Sequence, residues 1–195
     1  MSSSVLVTRP AGQAQALCAS LSDAGFRPIH YPLIEIEALP RPSAQARQLL
    51  LQLDSFEQII FVSSNAVRCG MAWIGDFWPQ LPTTLHWYTV GAGSAAQLGD
   101  YGVQVQSPLA SMNSEGLLAL PGLQTVAGQR ILIVKGQGGR DQLRQVLQQR
   151  GARVDELVAY RRRCPSPKRG DLFACIRGEA CAALLLSSGE GLHNM

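Results

Sequence analysis

The sequence has few of the side chains that usually announce an enzyme. Only three histidines, His30, His86 and His193, occur in 195 residues, and none stands at metal-ligand spacing from a cysteine. The five cysteines (Cys18, Cys69, Cys164, Cys175, Cys181) include no C-x-x-C pair, so a zinc site or a thioredoxin-like redox motif is excluded. Their odd number and the apolar settings of Cys18 and Cys181 point to reduced thiols, which usually behave as small hydrophobes rather than nucleophiles. No carboxylate pair stands out: Asp and Glu fall mostly on predicted helices, and Glu35 and Glu37 alternate in an extended segment where solvation is expected. Nucleotide fingerprints are missing too. "GQGGRD" lacks the G-K-[ST] of a P-loop, "GAGSAAQLG" lacks the third glycine of a dinucleotide fingerprint, and there is no G-x-S-x-G elbow.

Charge is also sparse. Charged residues make up 16% of the chain, the net charge is +3, and the basic residues are scattered apart from Arg161-Arg162-Arg163. A dedicated nucleic-acid face would cluster them, so nucleic acid is excluded as a partner, whereas a small polyanion is not. No apolar run reaches the roughly 18 residues that a membrane-crossing helix needs. "MSSSVLVTRP" has neither a basic nor an apolar leader region. A soluble, cytoplasmic protein is expected.

What is present is apolar content, 46% of the chain, arranged in a regular alternation. "SVLVT", "EQIIFVS", "HWYTVG", "VQVQSP", "QRILIVKG", "ARVDELVAY" and "CAALLLSS" read as strands. Between them lie helical segments: Ala11 to Gly25, Ser43 to Leu53, Asn65 to Trp78, Ala92 to Gly102, the "NSEGLLAL" stretch capped by Asn113 or Ser114, Gly139 to Gly151, and about Lys168 to Arg177. Near-continuous apolar strands alternating with helices imply an α/β fold with parallel sheets covered on both faces.

Two echoes suggest that the fold is made twice. "IIFVSSNAV" is matched by "LLLSSGEGL", and "VLVTRPAGQAQAL" by "ILIVKGQGGRDQL". The copies interleave, and two proline-bearing extended segments, Pro32–Pro42 and Arg161–Pro167, are candidate linkers. The expected organisation is a discontinuous first domain (1–34 and 165–195) with a second inserted into it (41–160), joined by linkers at 35–40 and 161–164. Two domains in tandem are the plainer alternative.

Ligands of open α/β sheets bind at the carboxyl ends of strands. The residues there are Thr8-Arg9, Ser63-Ser64-Asn65, Gly91 to Ser94, Ser107-Pro108, Lys135 to Arg140, Tyr160 and Ser187-Ser188-Gly189. Most are small neutral hydrogen-bonders beside helix starts, which suits carboxylate or phosphate. Any one of them taken alone is more readily read as a helix cap; the case for a ligand site rests on several loops sharing the pattern. Tyr160 stands out as the one candidate acid, a phenol able to protonate a leaving hydroxyl held close to it. An aromatic side chain packed at a domain junction is the equal alternative.

Taken in order, "VLVTRPAGQ", "IIFVSSNAV", "TVGAGSAAQLGDYG", "SEGLLAL", "ILIVKGQGGRDQLRQVLQQRGARVDELVAYRR" and "LLLSSGEGL" resemble the uroporphyrinogen-III synthase family over essentially the whole chain. The resemblance implies two similar α/β domains, one inserted in the other through a two-segment extended linker, with the active site in the cleft between them. It implies hydroxymethylbilane, a linear tetrapyrrole with eight carboxylates, as substrate. The reaction expels its hydroxyl as water, inverts the last ring through a spiro intermediate and closes the macrocycle, with no metal or cofactor. Carried over by position, Tyr160 matches the family tyrosine proposed to assist loss of the hydroxyl. Arg9, Ser63, Ser64, Asn65, Gly91, Lys135, Gly138, Gly139, Arg140, Ser187 and Ser188 are then expected to bind substrate. A monomer is expected, in transient contact with the preceding enzyme of the pathway. Family members continue past the last Ser-Ser motif, so the first domain is expected to be truncated at Met195. If the chain truly ends there, a non-catalytic tetrapyrrole- or anion-binding module is the alternative. A two-lobed sugar- or nucleotide-binding protein of the periplasmic type is a weaker rival, for want of an export signal.

Overall fold

The computed structural model describes residues 2–165 and 170–195. Part of the expected linker Arg161–Pro167 and the expected start of the last helix at Lys168 lie outside the described residues. In chain order the elements are β1 (Ser4–Val7), α1 (Gln15–Asp23), β2 (Arg27–His30), β3 (Glu35–Ala38), α2 (Ala44–Leu51), β4 (Gln58–Phe61), α3 (Ser64–Phe77), β5 (His86–Thr89) and α4 (Ala92–Gly99). There follow β6 (Val105–Gln106), α5 (Ser114–Leu118), α6 (Pro121–Gln124), β7 (Arg130–Gly136), α7 (Gln142–Gln149), β8 (Arg153–Arg163), α8 (Asp171–Gly178), β9 (Cys181–Leu185) and α9 (Gly189–His193). The contacts divide the chain into two compact units, Met1–Glu37 with Arg162–Met195, and Ala38–Arg161.

The larger unit is built on a six-stranded sheet of order β3-β8-β7-β4-β5-β6. Its β4–β7, β4–β5, β5–β6 and β7–β8 pairs are all parallel, as strand–helix alternation requires. The central strands are buried on both faces: every residue of β4 is buried, and all of β7 after Arg130. On one side Ile60, Ile131 and Ile133 pack with Leu117, Leu123, Leu143 and Leu147. Phe61 stacks on Trp87 with ring centroids 6.2 Å apart. The helix α3 buries Ala66, Val67, Gly70, Met71 and Ile74 along one stripe, the spacing of an amphipathic helix on a sheet. It lies close because residue 70 has no side chain: a Cβ there would come within 2.5 Å of Val134 Cγ1.

The smaller unit has a three-stranded sheet, β2-β1-β9, with both pairs parallel. Among the described residues of this sheet only β1 is wholly buried, and the two edge strands β2 and β9 are partly exposed. Its core is Leu6, Leu33 and Leu172 with Ile29, Tyr31, Ile176 and Leu184 around them. The helix α1 has no fully buried residue. The segment of Glu35 and Glu37 is strand β3, and Glu37 is held by Arg163 at 2.9 Å instead of being solvated.

Tyr31 carries a testable defect. Its hydroxyl is buried without a hydrogen-bond partner among the described residues. Burial raises its pKa above the ordinary phenol value, and Asp171, Cys175 and Cys164 add to the rise. The fold therefore favours the neutral phenol, a stabilisation fully present below pH ~10 and lost as the pH climbs past it. Tyr31→Phe removes an unsatisfied polar atom, and we expect a gain of about 1 kcal/mol at neutral pH. The variant should also lose less stability between neutral and alkaline pH. Thermal melts at pH 7 and above pH 10 check both, and a variant less stable than the parent at pH 7 would refute the argument.

Candidate functional site

The chain after β4 turns outward at Ser63, whose extended backbone (φ −168°) makes it the N-cap of α3. Its Oγ accepts the Ala66 N–H at 3.1 Å, meeting one of the donors that a helix start leaves unpaired. The same oxygen lies 3.0 Å from the Tyr160 hydroxyl. Ser63 therefore joins a fourteen-residue helix start to the one phenol singled out by sequence. Tyr160 is on β8 and is itself buried, 4% exposed. The neighbouring Ser64 is exposed, and its Oγ sits 3.1 Å from Ser94 Oγ, so the first turns of α3 and α4 are tied together by hydroxyls. Asn65 follows, half-buried. Gly91 is the N-cap of α4 and offers no side-chain cap.

Lys135, expected among the substrate-binding residues, is 8% exposed, and its Nζ lies 3.1 Å from Glu156 and 3.7 Å from Asp141. Arg144 closes the network, 3.5 Å from Asp141 and 3.9 Å from Glu156. A buried ammonium needs a counter-charge, and Lys135 has two. It anchors the loop that follows β7 instead of leading it. In that loop Gly138 (φ +71°) and Gly139 (φ +94°) take left-handed backbone, which glycine adopts without the steric cost of a Cβ, and Arg140 is exposed beyond them.

In the smaller unit the carboxyl ends of β1 and β9 lie side by side. Thr8 Oγ1 donates to the Leu185 carbonyl at 2.8 Å. Arg9 is exposed, and its carbonyl meets His30 Nε2 at 2.8 Å. Ser188 caps α9, accepting the Gly191 N–H at 3.0 Å, beside an exposed Ser187. The imidazoles of His30 and His193 contact backbone carbonyls, as structural histidines do. The buried thiol of Cys69 is pushed up chiefly by burial, against the opposing pull of Arg68. That of Cys175 is pushed up by burial and then by Cys181 and Glu179. Neither has the lowered pKa of a nucleophilic cysteine.

Ser94, Glu156 and Gly136 belong to this constellation, but nothing in their own helix or strands singles them out by sequence. Their partners Ser64, Lys135 and Tyr160 lie 30, 21 and 24 residues away, and no local pattern encodes such pairings. A cavity of about 760 Å³ opens elsewhere, at the amino ends of β5 and β6, lined by Trp78, His86, Trp87 and Tyr101 among others. No Lys or Arg lines it, so it does not suit a polyanion.

A sequence model of the family described as uroporphyrinogen-III synthase HemD matches residues 15–195. The chain belongs to the uroporphyrinogen-III synthase family. It is 35% identical to the uroporphyrinogen-III synthase of Proteus mirabilis, over 82% of this chain and 80% of that one. It is 31% identical to that of Salmonella typhimurium, over 98% of this chain and 78% of the relative. The crystal structure of a mutant uroporphyrinogen III synthase from the extremely thermophilic bacterium Thermus thermophilus superposes with a TM-score of 0.69. That match has 21% identity and covers 99% of this chain and 75% of the other, so it speaks for the fold alone: a uroporphyrinogen-III synthase α/β fold. Among the described residues no helix is long and apolar enough to cross a membrane.

Proposed function

We propose that the chain closes hydroxymethylbilane to uroporphyrinogen III with loss of water, in tetrapyrrole biosynthesis. The observation that carries this reading is the Ser63–Tyr160 hydroxyl pair, 3.0 Å apart, in a chain of this family. The phenol of Tyr160 gives its proton to the departing hydroxyl, the C–O bond breaks and water leaves. The electron-rich pyrrole system takes up the positive charge that remains. The hydroxyl of Ser63, its oxygen already engaged by the Ala66 N–H, can turn its own proton toward the phenolate left behind. Attack through the substituted carbon of the last ring forms the spiro centre, and its rearrangement inverts that ring and closes the macrocycle. The proton released as the pyrrole regains aromaticity restores the phenol, so the net change is loss of one water.

The remaining work is orientation, because the reactive intermediate comes from the substrate itself. Ser64, Asn65, the backbone at Gly91, and Gly138, Gly139 and Arg140 are the carboxylate-binding groups of the larger unit in this reading. Arg9, Ser187 and Ser188 are those of the smaller one. Lys135 acts by holding the Gly138–Arg140 loop. Incubation with freshly made hydroxymethylbilane, followed by oxidation and separation of the porphyrins, tests the proposal. Isomer III should dominate. Isomer I alone, the product of unassisted closure, would leave the chain as a binding module.

A further inference from the structure

Strands β7 and β8 pair in simple parallel register from Arg130 opposite Arg153 to Lys135 opposite Val158. The register then slips, so that Gly136 faces Tyr160 and Ala159 has no partner across the pair. The slip is locked: Gln137 N–H donates to the Tyr160 carbonyl at 2.8 Å, and the Ala159 carbonyl accepts from Leu39 N–H at 3.1 Å. An extra residue of this kind bends the strand and re-aims the side chain beside it. Opposite the re-aimed ring stands a residue with no side chain. A Cβ at Gly136 would lie 2.6 Å from both Cε2 and Cζ of Tyr160, and 3.0 Å from its hydroxyl oxygen. Real Cβ atoms do not approach ring carbons that closely, so the ring rests directly on the Gly136 backbone. Gly136 has no positive φ; the space, not the backbone angle, demands glycine there.

We propose that Gly136 is a positioning residue: its missing side chain, with the irregularity at Ala159, seats the Tyr160 ring so that its hydroxyl meets Ser63. This rests on the reading of Tyr160 as the proton donor. Any side chain at 136 must tilt the ring. The Ser63–Tyr160 separation is already 3.0 Å, and a displacement much beyond half an ångström takes it out of hydrogen-bond range.

The test uses the full chain with Gly136→Ala, made alone and together with Tyr160→Phe. Gly136→Ala should lower kcat for isomer III to about the level of Tyr160→Phe, with KM within about twofold. Adding it to Tyr160→Phe should cost less than about a further twofold, because the two act through one group. The ¹³Cζ resonance of Tyr160 should shift in Gly136→Ala, and in the same direction in Ser63→Ala, which removes the hydroxyl partner directly. An unchanged resonance, or losses that multiply in the double variant, would overturn the positioning role while leaving Tyr160 as donor. An unchanged rate in Tyr160→Phe alone would instead remove the donor reading, and this proposal with it. If Gly136→Ala does not fold, Gly136→Ala with Tyr160→Ala decides: with the ring gone the added methyl has room. That double variant should melt where Tyr160→Ala melts, and failure to do so would overturn the proposal.

Discussion

Tyr160→Phe should slow the formation of isomer III about a hundredfold, the lower end of what a positioned general acid contributes, without unfolding the chain. The substitution deletes one oxygen and keeps the ring, so the packing on Gly136 survives. Ser63 retains its bond to the Ala66 N–H and continues to cap α3. The hydrogen bond that disappears contributes only about 1 kcal/mol to stability. Unassisted closure does not need the phenol. The variant should therefore change the product as well as the rate: the isomer I share rises as the assisted route slows. Timed incubation with hydroxymethylbilane and separation of both isomers reads the two effects together. A variant that makes isomer III at the parent rate would show that Tyr160 is only a packed aromatic.

Phe61→Ala should cost the larger unit about 3–5 kcal/mol, the range for truncating a buried aromatic. Phe61 is fully buried at the end of β4, which lies between β7 and β5 in the six-stranded sheet. Its ring stacks on Trp87 on one side. Its Cε1 also comes within 3.1 Å of where a Gly70 Cβ would stand, so α3 is seated against it. Ile59, Ile60, Ile74 and Val134 are themselves fully buried, so filling the space would require the core around them to repack. The cavity would open two residues before Ser63, and the cap of α3 would lose its support. Urea unfolding followed by tryptophan fluorescence, with Trp87 as a reporter at the lesion, measures the loss. A cost below about 1 kcal/mol would mean that the sheet and α3 can collapse together, contrary to the tight Gly70 contact.

The elements that sequence made legible are those whose cause is local. The runs "QIIF" and "RILIVKG" carry their burial on every residue but the first arginine of the second, and they are the strands at the heart of the larger sheet. Helix starts were readable for the same reason. Ser63, Asn113 and Ser188 each accept an N–H three residues on, a bond that needs nothing outside its own turn. The choice between Asn113 and Ser114 as cap of α5 fell to Asn113 because its Oδ1 reaches the Gly116 N–H. Less legible were segments with weak patterns. β3 reads "EIEA", and its strand character comes from its place beside β8.

By itself, then, the sequence determined the alternation of buried strands and capped helices, the two Ser-Ser helix starts, and the family to which their order belongs. Such features follow from side-chain period and from bonds spanning three or four residues. The tertiary structure decided what each polar group faces. Lys135 is paired with Glu156 and Asp141, which are brought to it across β7, β8 and α7. Gly136 read only as the last residue of a strand, and it is the register slip at Ala159 that sets the Tyr160 ring on its backbone. Partners twenty or more residues apart are chosen by strand register and helix packing. No stretch of sequence shorter than the fold contains that choice.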